Sequence, residues 1–384
     1  MEARTGRPIL DCPAAIAVEK ESRMWSDTPF ARRVGIRYPF VQGPFGGGSS
    51  SVELLAAVSN CGGLGSYGMH LLEPAAIRGT IEAARLATSR PFAVNLWLAR
   101  DPEPSPAERT ELQTGLDLLQ PYFAALGLEP PSAPARFLPE LGAQIEAVIE
   151  ARPPVFSFVY GIPDRDVLER CRARGIVTLG TATTADEAIA LEAAGVDCVV
   201  ASGAEAGGHR AFFLRPPEDS LIGMVALIPQ VADVIRVPFV AAGGIVDARG
   251  VTAALALGAH GAQIGSAFLA CDQSNADTIH RTHLFNRRNA QTVLTRAMTG
   301  RLARFIRNDL ADTLRDHIAS VPSYPIQSWL VGHIKAAALA RGRDDLVSLS
   351  AGQGAPLIRH RCAVKLMESL IRGVPLQIER LKTL

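Results

Sequence analysis

The sequence of 384 residues lacks the signatures of several large classes of protein. Its formal net charge is +1, so it offers no field that would attract nucleic acid or an anionic membrane surface. Its six cysteines are scattered, with no C-x-x-C pair and no zinc-like spacing, which predicts reduced thiols, no metal site and a cytoplasmic location. No apolar run is long enough to span a bilayer, and the apolar patch near the start is too short for a signal peptide.

Nucleotide-binding signatures are also missing. The chain contains neither a Walker pattern nor a G-x-G-x-x-G, so neither ATP nor a Rossmann-bound nicotinamide is indicated. What it does contain is 48% hydrophobic residues and 20% charged residues, the balance of a folded enzyme. Its length suits one barrel-sized domain with an appendage, or two ordinary domains.

Short apolar segments that alternate with helical patterns predict parallel strands. There are eight, at Phe40, Leu64, Val94, Phe156, Val177, Val199, Val240 and Ile264. Eight βα units over roughly 250 residues are typical of a (β/α)8 TIM barrel. A doubly wound sheet with fewer strands is the alternative.

The domain organisation follows from where this alternation starts and stops. Residues 1–29 have no sustained period and are expected to be a mobile or loosely docked extension. Residues 30–271 and 351–384 form the predicted barrel, which ends in an amphipathic helix over Leu357–Ile371. Between them, residues 272–350 are helical in pattern, and we expect this segment to cover the carboxyl-terminal mouth of the barrel.

Three helix starts carry capping signals. Ser50 with Glu53, and Thr184 with Glu187, have the spacing of a capping box. Asp247 is a predicted N-cap after the seventh strand.

The loop after the sixth strand holds the strongest candidate for catalysis. Glu205 is followed by Gly207, Gly208 and His209, at the strand end where ligands bind in α/β chains. His209 has a side chain that titrates near neutral pH, which favours a catalytic role over a structural or solvated one. Glu205 either orients His209 or makes hydrogen bonds at the strand end.

Two glycine turns follow the seventh and eighth strands, at Gly243–Gly244 and Gly265–Ser266. In a barrel these two loops commonly bind phosphate through backbone N–H groups. A tight βα turn would explain either turn alone, but their presence on adjacent strands favours phosphate.

Polar residues in or beside buried strands need partners. Asn95, Gln42 and Gln263 could bind a ligand or satisfy neighbouring backbone groups. His280 and His283 form an H-x-x-H pair without supporting carboxylates, which indicates a solvated helix rather than a metal site.

Together these residues resemble the nitronate monooxygenase family, formerly called 2-nitropropane dioxygenases, from about Pro39 to Leu370. The segments that carry the resemblance are Glu205–Arg210, Ala241–Ile245, Gln263–Phe268, Thr181–Thr184 and Ala351–Gly354. The resemblance implies an FMN-dependent (β/α)8 barrel with a second, mostly helical domain. It also implies oxidation of alkyl nitronates with O2 to carbonyl compounds and nitrite.

The resemblance implies roles for individual positions. His209 matches the active-site base of the family. The positions matched to FMN contacts are Gln42, Gly43, Asn95, Ser202, Gly207, Gly243, Gly244, Gln263, Gly265 and Ser266. Three residues depart from the common pattern: Phe45 replaces a methionine, Ser202 a glutamine and Ala211 a glycine. Phe45 and Ala211 could reshape the substrate pocket, and Ser202 reaches less far than a glutamine.

Other readings of the resemblance stay open. A flavin-type enoyl-acyl-carrier-protein reductase shares the Gly-Gly-His loop, and NADH:quinone reductases use the same barrel. A flavin-binding or scaffold protein with a dead site is the alternative from another class, although such a protein has no reason to keep His209. The expected partners are a small nitronate or nitroalkane and O2, and the choice between a monomer and a homodimer stays open.

Overall fold

The computed structural model describes residues 25–98, 106–286 and 291–383. Within them, eight parallel strands form one sheet in the order β1-β9-β8-β6-β5-β4-β3-β2. These strands are β1 (Phe40–Gln42), β2 (Gly65–Gly68), β3 (Phe92–Trp97), β4 (Val155–Val159), β5 (Val177–Ala182), β6 (Cys198–Ser202), β8 (Phe239–Ala242) and β9 (Ala262–Ile264). A parallel bridge between Val41 and Leu64 joins the two ends of the sheet. The prediction of a (β/α)8 barrel is confirmed.

Helices follow the strands and form the outer layer. They are α2 (Val52–Asn60), α3 (Pro74–Ala87), α4 (Pro106–Ala125), α5 (Leu141–Ala151), α6 (Arg165–Ala173), α7 (Ala185–Ala193), α8 (Met224–Val234), α9 (Ala248–Ala256) and α14 (Ala363–Lys382). Both α4 and α5 lie between β3 and β4, where the sequence is richest in proline and glutamate. In this architecture the loops at the carboxyl ends of the strands are the ones that form the active site.

The barrel interior is filled by small and branched side chains of the strands. They are Val41, Leu64, Ala93, Val155, Leu179, Cys198, Val200, Val240 and Ala242. Phe30 and Val34 of the short helix α1 (Pro29–Val34) pack onto this cluster. Helix α1 therefore closes the amino-terminal end, and any ligand must enter from the opposite end.

A long excursion separates β9 from α14. It contains α10 (Ser266–Leu269), α11 (Thr278–Phe285), β10 (Thr292–Thr295), β11 (Ala303–Ile306), α12 (Asp309–Thr313) and α13 (Ile326–Ala340). Its two strands join β7 (Gly208–His209) in an antiparallel sheet of order β10-β11-β7. The excursion is thus hydrogen-bonded to the loop that carries His209.

The capping signals are borne out in part. Thr184 and Asp247 cap α7 and α9 through their side chains, as predicted. The prediction of Ser50 as a cap is wrong, because Ser51 accepts the hydrogen bond from the N–H of Leu54. The Ser50 hydroxyl instead bonds the backbone of the β1–α2 loop and of β2.

Three further expectations need correction or fall partly outside the described residues. Glu187 does not complete a box with Thr184, because its carboxylate accepts from the backbone of Thr183 and from the loop at residues 213–214. The last helix begins at Ala363 rather than Leu357, because a 3-10 turn and an extended stretch precede it. Of the predicted extension, residues 1–24 lie outside the described part, and Trp25 stacks on Tyr38.

Candidate functional site

A cavity of about 680 Å³ opens at the carboxyl ends of the barrel strands. Most of the site residues predicted from the sequence line it: Gly43, Asn95, Ser202, Gly207, His209, Gly243, Gly244, Gln263, Gly265 and Ser266. Phe45 and Ala211, two of the departures from the family pattern, also line it. The structure therefore brings together residues that are more than 200 positions apart in the chain.

Gln42 is the one predicted site residue that does not line this cavity. Its side chain is fully buried and bonded to backbone. The Oε1 atom accepts from the N–H of Ser66 at 2.8 Å, and the amide nitrogen donates to the carbonyl of Gly43. Gln42 therefore ties β1 to β2 and supports the cavity wall from behind.

The two glycine turns form one side of the cavity. Gly243 and Gly244 have φ angles of +114° and +68°, a region that L side chains rarely adopt. A Cβ on Gly265 would meet no atom within 4 Å, because this residue faces open cavity. The Ser266 hydroxyl accepts from the N–H of Gly352 at 2.8 Å, which brings the 351–354 loop against these turns. These residues make a glycine-lined cradle.

Asn95 and Ser202 occupy the floor of the site. The Asn95 amide donates to the Ser157 hydroxyl at 2.9 Å, so Asn95 both satisfies a neighbouring strand and faces the cavity. The Ser202 carbonyl accepts from the buried guanidinium of Arg210, which also donates to the carbonyls of Gly203 and Ser220. Burial lowers the pKa of Arg210 to about 10, and it stays cationic at neutral pH. Arg210 thus anchors the loop to the end of β6.

Glu205 has a structural role, which decides between its two readings. Both carboxylate oxygens accept from the N–H of Met224, at 2.9 and 3.0 Å. Met224 is the first residue of α8, so Glu205 caps that helix. Among the described residues it makes no hydrogen bond to His209, and the histidine is oriented by other groups.

His209 is held by the excursion. Its backbone pairs with Ala303 of β11, and the N–H of Arg210 donates to the carbonyl of Leu302. Its Nε2 atom lies 2.9 Å from the hydroxyl oxygen of Thr299. Since β11 and Thr299 both belong to the excursion, this segment determines where the imidazole points.

The imidazole of His209 is neutral at physiological pH. Removal from water lowers its pKa from 6.5 to about 3, and the electrostatic interactions with Arg301 and with His70 lower it further. The Arg301 guanidinium lies over the ring of Tyr160, 3.9 Å from the ring centroid. A neutral imidazole has a lone pair that can accept a proton.

Aromatic side chains enclose the space beside His209. Trp97 meets the imidazole edge-on, with ring centroids 4.8 Å apart, and Tyr324 lies 6.1 Å from it. His70 stacks on Trp97 from another side. These residues were not predicted from the sequence, although Trp97 and His70 lie at or just after strand ends, as His209 does. Thr299 and Tyr324 carried no local signal.

Helix α13 lies across the mouth. The cavity is lined by one face of this helix and the turn before it, namely Tyr324, Pro325, Ser328, Trp329, Gly332, His333, Lys335 and Ala336. Phe137, from the β3–β4 connection, packs edge-on against Trp329. The cavity is therefore closed over by residues from two separate excursions.

The pair His280 and His283 lies on α11, as predicted, but His280 is not solvated. It is buried, and its Nε2 lies 2.8 Å from the carbonyl of Ser350. His283 lies 2.7 Å from a carboxylate oxygen of Asp344. Across the described ranges, no group of three or more histidine, cysteine or acidic side chains could hold a metal ion. In the same ranges, no helix is long and apolar enough to cross a membrane.

The fold and this cavity define a (β/α)8-barrel enzyme that binds its ligand at the carboxyl ends of the strands. The family model described as nitronate monooxygenase matches residues 28–373. A probable nitronate monooxygenase of Staphylococcus aureus (strain Newman) is 36% identical over 352 residues, which cover 91% of this chain and 98% of that one. The chain belongs to the nitronate monooxygenase family, and the resemblance of its motifs is confirmed.

Solved structures agree with this assignment. Nitroalkane oxidase from Streptomyces ansochromogenes is 36% identical, with a TM-score of 0.83 over 91% of this chain and 99% of that one. FabK from Thermotoga maritima is more distant, at 26% identity and a TM-score of 0.71 over 93% and 98% of the two chains. The protein is a flavin-dependent oxidoreductase of a family that oxidises nitronates or nitroalkanes.

Proposed function

We propose that this chain binds FMN in the cavity and oxidises alkyl nitronates with O2 to a carbonyl compound and nitrite. The observation that carries the proposal is that one cavity contains both the glycine cradle and the neutral His209. The nitronate monooxygenase family match and the similarity to nitroalkane oxidase support it. The five described cysteines are free thiols, which supports a cytoplasmic location.

The residues of the cradle fit a phosphorylated, planar cofactor. Gly243, Gly244 and Gly265 present backbone without side chains, and the space at Gly265 would be filled by a Cβ. Backbone N–H groups at such turns bind phosphate, and Ser266 adds a hydroxyl. Asn95 and Gln263 supply side-chain amides to the lining of the same cavity. FMN, when bound, supplies the redox chemistry of the reaction.

The protein supplies binding, water exclusion and proton transfer. Trp97, Tyr160 and Tyr324 form apolar walls for the alkyl part of the substrate. With a neutral nitroalkane, His209 acts as a general base and removes the α-proton. A nitronate has already lost this proton, so it needs only binding and orientation. Residues 272–350 act as the unit that covers the substrate, over the barrel formed by residues 30–271 and 351–384.

The test is an absorption spectrum followed by two assays. The purified protein should be yellow and release FMN on denaturation, and aerobic mixing with an alkyl nitronate should yield nitrite. A colourless protein that FMN cannot reconstitute contradicts the cofactor assignment. If NADH bleaches the flavin and an enoyl thioester or a quinone then reoxidises it, with no nitrite from nitronate, the protein is a reductase instead. The structural similarity to FabK is the reason to test for this second activity.

A further inference from the structure

The Thr299 hydroxyl lies at the meeting point of three polar groups. Its oxygen lies 2.9 Å from Nε2 of His209 and 3.2 Å from the carbonyl oxygen of Arg301, and it can accept weakly from the N–H of Arg301 at 3.4 Å. Thr299 is itself buried, on the turn between β10 and β11. The hydroxyl has one proton to donate and two candidate acceptors, Nε2 of His209 and the carbonyl of Arg301. Which of them accepts this proton determines which ring nitrogen of His209 is protonated.

The carbonyl of Arg301 is the acceptor that needs this proton. The described residues provide no other donor to this carbonyl, and a backbone carbonyl without a partner costs free energy. If the Thr299 proton goes to Arg301, then Nε2 of His209 must be the donor to the Thr299 oxygen. The 2.9 Å distance is the usual one for an N–H···O bond.

The second ring nitrogen is then the one that can act as a base. Nδ1 of His209 has no hydrogen-bond partner in the part of the chain that the structure describes. An atom that has no partner and is fully buried would be an unsatisfied buried atom, and Nδ1 of His209 is not one. Nδ1 is therefore not fully buried, and His209 lines the cavity. The free lone pair of Nδ1 is thus accessible from the cavity.

We propose that Thr299 is a positioning residue that holds His209 as the Nε2–H tautomer and leaves Nδ1 as the base toward the substrate. This inference rests on the proposed function. In the step it supports, the α-C–H bond of a nitroalkane breaks and the proton moves to Nδ1. The electron pair of that bond passes into the nitro group and gives the nitronate anion, so no other reactant is needed.

The charged and titratable surroundings of His209 are consistent with a neutral imidazole. Arg301, beyond the same turn, and His70, after β2, both disfavour a proton on His209. The other neighbours, Trp97, Phe305 and Tyr324, bear no charge near neutral pH. The hydroxyl of Thr299 is therefore the group that distinguishes the two ring nitrogens.

The first test is nitrogen NMR on the holoenzyme labelled with 15N-histidine. The His209 signals are assigned by their loss in His209→Gln. Between pH 6 and 8 the wild type should show Nε2 protonated and Nδ1 unprotonated, and Thr299→Val should show a mixture of tautomers. A wild type with Nδ1 protonated and Nε2 bare overturns the proposal, whatever the enzyme's activity.

The second test compares variants on two substrates. Thr299→Val should lower kcat for a nitroalkane about tenfold, the effect of one lost hydrogen bond, and should lower nitronate turnover by less. Thr299→Ser keeps the hydroxyl and should restore most of the loss. Thr295→Val is the matched control, because Thr295 is in the same hairpin, accepts from the N–H of Ala297 and does not line the cavity. It should behave like wild type on both substrates.

The outcomes separate this proposal from the proposed function. If the wild type produces no nitrite from nitronate, the proposed function fails, while the NMR result still decides the tautomer. If Thr299→Val and Thr295→Val lose activity equally, or Thr299→Val loses nitronate and nitroalkane turnover to the same extent, Thr299 only stabilises the turn and the proposal is wrong.

Discussion

The indole of Trp97 and the imidazole of His70 stack face to face, with ring centroids 3.7 Å apart and planes 3° from parallel. Burial lowers the pKa of His70 to about 3, so the stack is between two neutral rings. Trp97 also meets His209 edge-on. One indole therefore links the histidine after β2 to the histidine after β6, and its removal should disturb both.

Replacement of Trp97 tests this link. Trp97→Phe keeps an aromatic ring and should lower kcat/KM for a nitroalkane about threefold, whereas Trp97→Ala loses both ring contacts and should lower it about tenfold. These values correspond to about 0.5–1.5 kcal/mol for an aromatic pair. Steady-state kinetics at fixed FMN occupancy measure the effect. Equal activity of Trp97→Ala and wild type would show that the stack does not orient His209.

Substitution at Gly265 should remove FMN without harming the fold. Because a Cβ at this position meets no atom within 4 Å, Gly265→Val should fold as well as wild type. Its free energy of unfolding should differ from that of wild type by no more than about 0.5 kcal/mol. The valine would project into the proposed phosphate cradle. Flavin absorbance per protein after purification is the measurement.

The matched control is Gly79→Val on the exposed face of α3, where a Cβ also meets nothing within 4 Å. It should retain both FMN and stability, because valine is no worse a helix former than glycine. Gly244→Val should lose both FMN and stability because of its positive φ. Full FMN occupancy in Gly265→Val would contradict the location of the cradle.

The role of His209 as a base predicts a difference between two substrates. His209→Asn should lose activity mainly with neutral nitroalkanes, by roughly 10²–10⁴-fold, the usual contribution of general-base catalysis. Activity with nitronates prepared beforehand should fall less, because their proton is already gone. Initial rates on both substrates, with FMN content measured for each preparation, provide the comparison.

Two other results would change the assignment. A raised KM for nitronate with unchanged nitroalkane turnover would make His209 a group that binds the anion. Equal losses on both substrates with FMN retained would argue against either simple role.

Buried histidines should make the stability depend on pH. Burial lowers the pKa of His280 to about 4, against 6.5 for an exposed histidine. Between pH 6.5 and 4 the unfolded chain therefore binds more protons than the folded one, so stability is complete above pH 6.5 and falls as the pH is lowered. The expected slope is about 1 kcal/mol per pH unit for this residue alone.

Urea unfolding at several pH values between 7.5 and 5 measures this slope. His280→Gln has an amide that can still donate to the carbonyl of Ser350 but does not titrate, so its profile should be flatter than that of wild type. Parallel profiles for the two proteins would contradict the neutral, buried state of His280.

Several errors in the sequence prediction come from choices between near neighbours. Ser50 and Ser51 are both good N-caps, and only the path of the loop from β1 decides that Ser51 faces the helix start. For Glu205 the sequence left two roles open, and the structure decides for a hydrogen bond to Met224, because the start of α8 lies next to its carboxylate. His280 was predicted to be solvated because no carboxylates accompany the H-x-x-H pair, yet the loop at Ser350 covers it.

The sequence alone determined the barrel and the position of the loop that carries His209. Eight apolar segments that alternate with helical patterns have few ways to bury both faces other than a closed parallel sheet, and the carboxyl ends of its strands then form one rim. Gly243 and Gly244 could be placed on that rim because they directly follow β8, and His209 because it lies in the loop that leaves β6. The local sequence pattern is sufficient to predict where such residues lie, since their position depends on the strand before them.

Only the tertiary structure decided what surrounds His209. Thr299 comes to the imidazole because β11 pairs with β7 across 94 residues of chain, from His209 to Ala303. Tyr324 arrives from the turn before α13, and Trp97 from a strand on another part of the barrel. These contacts depend on how the excursion packs over the mouth, and no local periodicity encodes such packing.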